Sequence, residues 1–151
     1  MLRNAHRLFG VHPRLCAATV KAGVTLDFDV YVAEGSRSKE RQDTLYAQGR
    51  TAPGSIVTNA TADNSPHCFG LAVDLYPACL DGTFNPQGSF GDRFEKLAEC
   101  MKSIPGVAWG GDWTSLKDRP HFEVENWRTH TSWMLTTIAI VAGLALVAHA
   151  I

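Results

Sequence analysis

Charge of either sign is scarce in this sequence. Only 19% of its 151 residues are charged, and the formal net charge is −1. No basic run occurs, which argues against nucleic-acid binding through a charged face. Cysteine is sparse too. Cys16, Cys68, Cys79 and Cys100 form no CxxC pair, so neither a zinc ribbon nor a dense disulfide framework is expected. A single bridge is open, but most of the four read as buried thiols. The first residues, MLRNAHRLFGVHPRL, lack the apolar core of a secretory signal. Long hydrophobic runs are missing before residue 133. What is present is a hydrophobic content of 45%, enough for the core of one domain and too much for global disorder.

Punctuation marks the elements. Pro13 followed by RLCAATVKAG reads as a helix stopped near Gly23. TLDFDVYVAE sets Leu26, Phe28, Val30 and Val32 against polar neighbours, the pattern of a half-buried strand. Ser36 to Gln48 reads as a polar helix ended by Gly49, with Gln42 on its solvated face, the alternative being that it faces the cleft. Residues 50–66 are rich in turn formers. LAVDLY is a short strand, and DRFEKLAECMKS is a helix with Phe94, Leu97, Ala98 and Met101 on one face. VAWGGDWTSLKDRP is a strand end and loop, and HFEVE is a last strand. Strands and helices do not strictly alternate, so the expectation is α+β with a small antiparallel sheet and flanking helices.

Polar residues gather in three places: His67 with Asp74, Asp118 with His121, and Ser36 with Arg37. A catalytic zinc site takes three ligands from His and carboxylate and keeps one position open. His67, Asp74 and His121 make such a set, with Gly70 free to bend the chain between the first two. His-x6-Asp alone is a weak signal. Asp118, three positions before His121 and stiffened by Pro120, can supply a base beside the metal, or can be an ordinary turn residue. Glu123 is the rival base.

SPHCFGLAVDL (65–75) resembles the SxHxxGxAxD motif of the zinc-dependent peptidoglycan peptidases, the D-alanyl-D-alanine carboxypeptidases and phage L-alanyl-D-glutamate endopeptidases. DRPHFE resembles their second motif, and EGSRSKERQ their upstream region. RTAPGSIVTNA and WGGDW look like segments of the phage endopeptidase branch. Together these span residues 8 to 127 in the family's order. The resemblance implies a hedgehog/DD-peptidase-like fold, Zn2+ held by His67, Asp74 and His121, and Asp118 as the general base that moves the proton from attacking water to the leaving amine. It implies that Arg37 stabilises charge on the tetrahedral intermediate or grips a substrate carboxylate. Ser65 supports His67 or touches substrate, or is a turn residue before Pro66. Trp109 and Trp113 wall a substrate groove or serve as core aromatics. Cys68 departs from the family pattern, where a polar residue is expected, and Pro66 is also unusual. The implied substrate is the peptidoglycan stem peptide, and the expectation is a monomer of the endolysin type that cuts the L-alanyl-D-glutamate bond. D-alanyl-D-alanine carboxypeptidase action and a non-catalytic wall-binding module are the alternatives.

The division expected is a peptidase domain over 1–132 and an apolar segment over 133–151. WMLTTIAIVAGLALVAHAI carries no formal charge and has about the ~20 residues a membrane span needs. It reads as a transmembrane or membrane-associated helix with Trp133 at the interface, a buried terminal helix being the alternative. Arg128 and His130 precede it, which by the positive-inside rule favours the domain on the cytoplasmic side of a host inner membrane, with the opposite orientation left open by a bias of one arginine. Such an enzyme would reach the wall once the membrane is breached in lysis.

Overall fold

The computed structural model describes residues 1–115 and 117–133. The chain runs β1 (Leu2–Arg3), α1 (Pro13–Thr25), β2 (Val30–Glu34), α2 (Lys39–Ala47), β3 (Ala72–Pro77), α3 (Arg93–Lys102), β4 (Val107–Trp109) and β5 (His121–Val124), with short 3-10 turns between them. The strands form one sheet in the order β1-β2-β3-β5-β4. This is the expected α+β architecture with one correction. The sheet is mixed, because β1 pairs parallel to β2 while all the other pairs are antiparallel. Two residues are too few to show alternation, so β1 has no sequence signature.

Strand alternation separates the two faces of the sheet. Val30, Val32, Val73, Leu75, Phe122 and Val124 are fully buried and join Leu15, Ala18 and Ala22 of α1 and Phe94, Leu97 and Met101 of α3 in the core. Asp74, His121 and Glu123 alternate with these residues on their strands and point the other way. α1 begins where expected, with Pro13 in its first turn and the His12 ring accepting from the Arg14 amide at 3.2 Å. α2 starts later than expected because the Ser38 hydroxyl caps it, accepting from the Arg41 amide. Only 30–34 of TLDFDVYVAE is strand.

Two further expectations change. Of the four cysteines only Cys79 is buried, and all four are free thiols. Gln42 is fully buried, not solvated. The apolar segment from residue 134 onward lies outside the described residues. Among those described, no helix is long and apolar enough to cross a membrane. Trp133 packs on the domain: its indole N–H donates to the Phe69 carbonyl at 2.8 Å and its ring meets His12 edge-on at 4.9 Å.

Candidate metal centre

Register brings the site together. Asp74 of β3 stands opposite His121 of β5 on one side and Glu34 of β2 on the other, making a polar row across three strands. The row ends at a β-bulge between Val32 and Glu34. His67 comes from the 3-10 turn Pro66–Phe69, which Gly70 stops in the left-handed conformation at φ 65°.

Three atoms then meet. His67 Nε2, Asp74 Oδ1 and His121 Nδ1 form a triangle with every side 3.3 Å. Ligands ~2.0–2.1 Å from a tetrahedral zinc stand ~3.3–3.4 Å from one another, so the triangle has the size of one face of such a site. The outer nitrogens are committed. His67 Nδ1 donates to the Gly35 carbonyl at 2.8 Å, and His121 Nε2 lies 3.2 Å from Glu123 Oε2. With both outer N–H groups donating, three lone pairs face each other across the triangle. That arrangement requires a cation or a proton between them.

The electrostatics agree. Burial opposes ionisation of Asp74, yet the His67 charge and hydrogen bonds from both imidazoles hold its carboxyl well below the ordinary range. Burial also opposes the charge on His121, but Asp74 and Glu123 outweigh it and push the imidazole up to about 9. In the absence of metal the site therefore holds a proton. Glu123, the rival base, instead orients a ligand, a role visible only once β5 places its side chain beside His121 Nε2.

Asp118 lies on the same cleft, half-buried, at the start of a turn closed by the His121 amide donating to the Asp118 carbonyl at 3.2 Å. Gly110 makes this turn possible. The Asp118 amide donates to the Gly110 carbonyl at 3.0 Å, and the two backbones lie so close that a Cβ on Gly110 would stand 2.5 Å from the Asp118 carbonyl oxygen. Burial raises the Asp118 carboxyl, and the nearby Asp74 charge adds to the rise. A raised carboxyl beside a three-ligand cluster is the electrostatic setting of a proton-transferring base.

Arg37 is brought to the cleft but is already engaged. Its guanidinium makes two bonds to Glu34, at 2.8 and 2.6 Å, donates to Gln42 Oε1 at 2.6 Å, and lies 3.7 Å from Asp74 Oδ2. Gln42 in turn donates to the Ala60 carbonyl at 2.7 Å. Ser65 is buried and lines the cleft, and its carbonyl accepts from the Cys68 amide at 3.0 Å; burial opposes ionisation of the Cys68 thiol. The two tryptophans divide. Trp113 is partly exposed and walls the cleft, its ring 5.2 Å from that of His121. Trp109 is a core aromatic, stacked on Phe122 with its N–H donated to the Arg119 carbonyl at 2.7 Å. The cleft has a volume of about 500 Å³.

A family model described as D-alanyl-D-alanine carboxypeptidase matches residues 58–124, the span that holds all three ligands and Asp118. The chain is also 40% identical over 117 residues to the peptidoglycan L-alanyl-D-glutamate endopeptidase CwlK of Bacillus subtilis, a match over 73% of this chain and 66% of that relative. The chain belongs to this peptidase family. Among solved structures, the L-Ala D-Glu endopeptidase ChiX of Serratia marcescens superposes with a TM-score of 0.61 and 26% identity, over 87% of this chain and 94% of that one. The D,D-pentapeptidase VanY, solved with Zn(II), superposes with a TM-score of 0.51 at 19% identity, over 76% and 72% of the two chains, and shares the fold.

Proposed function

We propose that this chain is a zinc metallopeptidase of peptidoglycan that cuts the L-alanyl-D-glutamate bond of the stem peptide. The observation that carries the reading is the 3.3 Å triangle of His67, Asp74 and His121, with Asp118 on the same cleft. The endopeptidase relatives support the bond named. His67, Asp74 and His121 would hold Zn2+, which when bound supplies Lewis acidity and acidifies water. The chain's own residues do the rest. Gly35 and Glu123 fix the two imidazoles so that their inner nitrogens face the metal position. Asp118 takes the proton of the attacking water and passes it to the leaving amine. Arg37, tied to Glu34 and Gln42, stands beside the outer oxygen of Asp74 and balances its charge. Trp113 and Ser65 shape the substrate wall.

The test is digestion of isolated peptidoglycan by the full chain, with products read by mass spectrometry. Stem peptides beginning at D-glutamate, abolished by a zinc chelator and by Asp118→Ala, are expected. Release of free D-alanine alone would replace the reading with carboxypeptidase action. No product from a folded, zinc-loaded protein would make it a wall-binding module. The proposal extends to a lytic role for a monomer held at a host inner membrane by 133–151, which rests on the sequence of that segment. Fractionation of cells expressing the full chain checks it, and recovery wholly in the soluble fraction would remove the membrane part.

A further inference from the structure

Two guanidiniums line the cleft, those of Arg37 and Arg128. Their situations differ. Arg37 is 10% exposed, with its donors spent on Glu34 and Gln42 and the Asp74 carboxylate alongside. Arg128 is exposed, and among the described residues no carboxylate pairs with it. It stands over Trp127: the guanidinium carbon lies 4.4 Å from the centre of the indole ring. That ring is buried and stacked on Phe69 at 5.7 Å, two residues beyond the ligand His67. A rigid aromatic platform therefore carries a cation whose hydrogen-bonding edges have no partner among the described residues.

The backbone leading there is specific. β5 ends at Val124, and Asn126 adopts φ 54°, ψ 37° to turn the chain into the 3-10 turn Trp127–Thr129. Asparagine is among the few residues with a side chain that enter this region readily. The turn places Arg128 at the end of the cleft that Glu123 also lines, and a second hollow formed by Glu123, Asn126, Trp127, Arg128 and Thr129 continues from it.

The rest of the cleft is acidic. Asp74, Asp118 and Glu123 all line it, and with Arg37 engaged, Arg128 is the guanidinium among the described lining residues left to meet an anionic group of the substrate. On the proposed reading, the residue that follows the cut bond is D-glutamate, which carries a carboxylate beside the departing nitrogen. We propose that Arg128 is the specificity-determining residue of this site and binds that carboxylate, leaving Arg37 as a positioning residue for Asp74. The inference rests on the endopeptidase reading. A planar fork held flat on an indole suits two parallel N–H···O bonds to one carboxylate.

The experiment uses the full chain, zinc-loaded, and two synthetic stem peptides. One carries D-glutamate after L-alanine with its α-carboxylate free, and the other carries D-isoglutamine, in which that group is an amide. Wild type is expected to favour the free carboxylate through a lower KM. Arg128→Ala should raise KM for the carboxylate peptide about tenfold or more, leave kcat nearly unchanged, and abolish the preference between the two peptides. Arg128→Lys should restore part of the preference. Arg128 is exposed, so an unchanged melting temperature is expected and separates binding from folding. If wild type cuts neither peptide, the endopeptidase reading fails. If wild type cuts both and Arg128→Ala keeps the full carboxylate preference, the reading stands and the role of Arg128 is overturned.

Discussion

At the scale of single residues, function here conflicts with stability. Asp118 has its carboxyl raised by burial and by Asp74. A carboxyl raised on folding binds its proton more tightly in the folded state, so stability falls as pH rises from the ordinary value of 3.8 through the folded one. At neutral pH the ionised group works against the fold. Asp118→Asn should therefore raise the melting temperature of the metal-free protein at pH 7, with the gain shrinking toward pH 4. The same variant should lower kcat about 10²–10⁴-fold. Thermal melts across pH, beside turnover on stem peptide, check both halves, and a lower melting temperature at pH 7 would contradict the charge argument.

His121 behaves in the opposite sense. Its imidazole is pushed up to about 9, so the protonated form stabilises the metal-free fold fully below 6.5, and that contribution is lost as pH rises through about 9. Zinc must displace this proton. Calorimetric titration of metal-free protein with zinc at pH 7, in buffers of different ionisation enthalpy, should show about one proton released per metal bound. Zero release would mean that His121 is neutral before the metal arrives.

At the scale of elements, the motif residues were legible because each lies at a chain position that announces itself. His67 follows a proline, Gly70 marks the bend, and Asp74 interrupts an apolar strand. The register that sets Asp74 beside His121 was not legible, because cross-strand pairing depends on which strands become neighbours and not on either sequence alone. Gln42 was misplaced for a related reason. A polar helix with little amphipathic pattern gives no sign of which side faces the protein, and Gln42 is buried by its bonds to Arg37 and Ala60. Arg128 looked like a charge flanking an apolar run, and only the turn at Asn126 brings it to the cleft.

The turn that delivers Asp118 gives a sharp test at this scale. Gly110→Ala forces a Cβ to 2.5 Å from the Asp118 carbonyl oxygen, a backbone atom that can yield only by moving the whole turn. A loss of about 1–3 kcal/mol is expected, and activity should fall further than stability because Asp118 moves with the turn. Denaturant unfolding alongside kcat measurement distinguishes this outcome from a merely structural one, in which activity per folded molecule would be unchanged.

At the scale of the whole molecule, the sheet puts its chemistry in the middle. β3 and β5, which carry Asp74 and His121, are adjacent interior strands, while the edge strands β1 and β4 have two and three residues. Such short edges offer little template for pairing with another chain. Fraying at either edge leaves the three ligands in place, since none of them lies on β1 or β4. The consequence belongs to kinetics. Val73 and Phe122, opposite each other and fully buried, flank the ligands on these two strands. Their amides should exchange with deuterium only when the entire domain opens, and zinc should slow them in step with the gain in global stability. Amides in β1 should exchange at a rate indifferent to zinc. Metal binding at this site is thereby read out in the rarest opening of the protein, that of the two strands that carry Asp74 and His121.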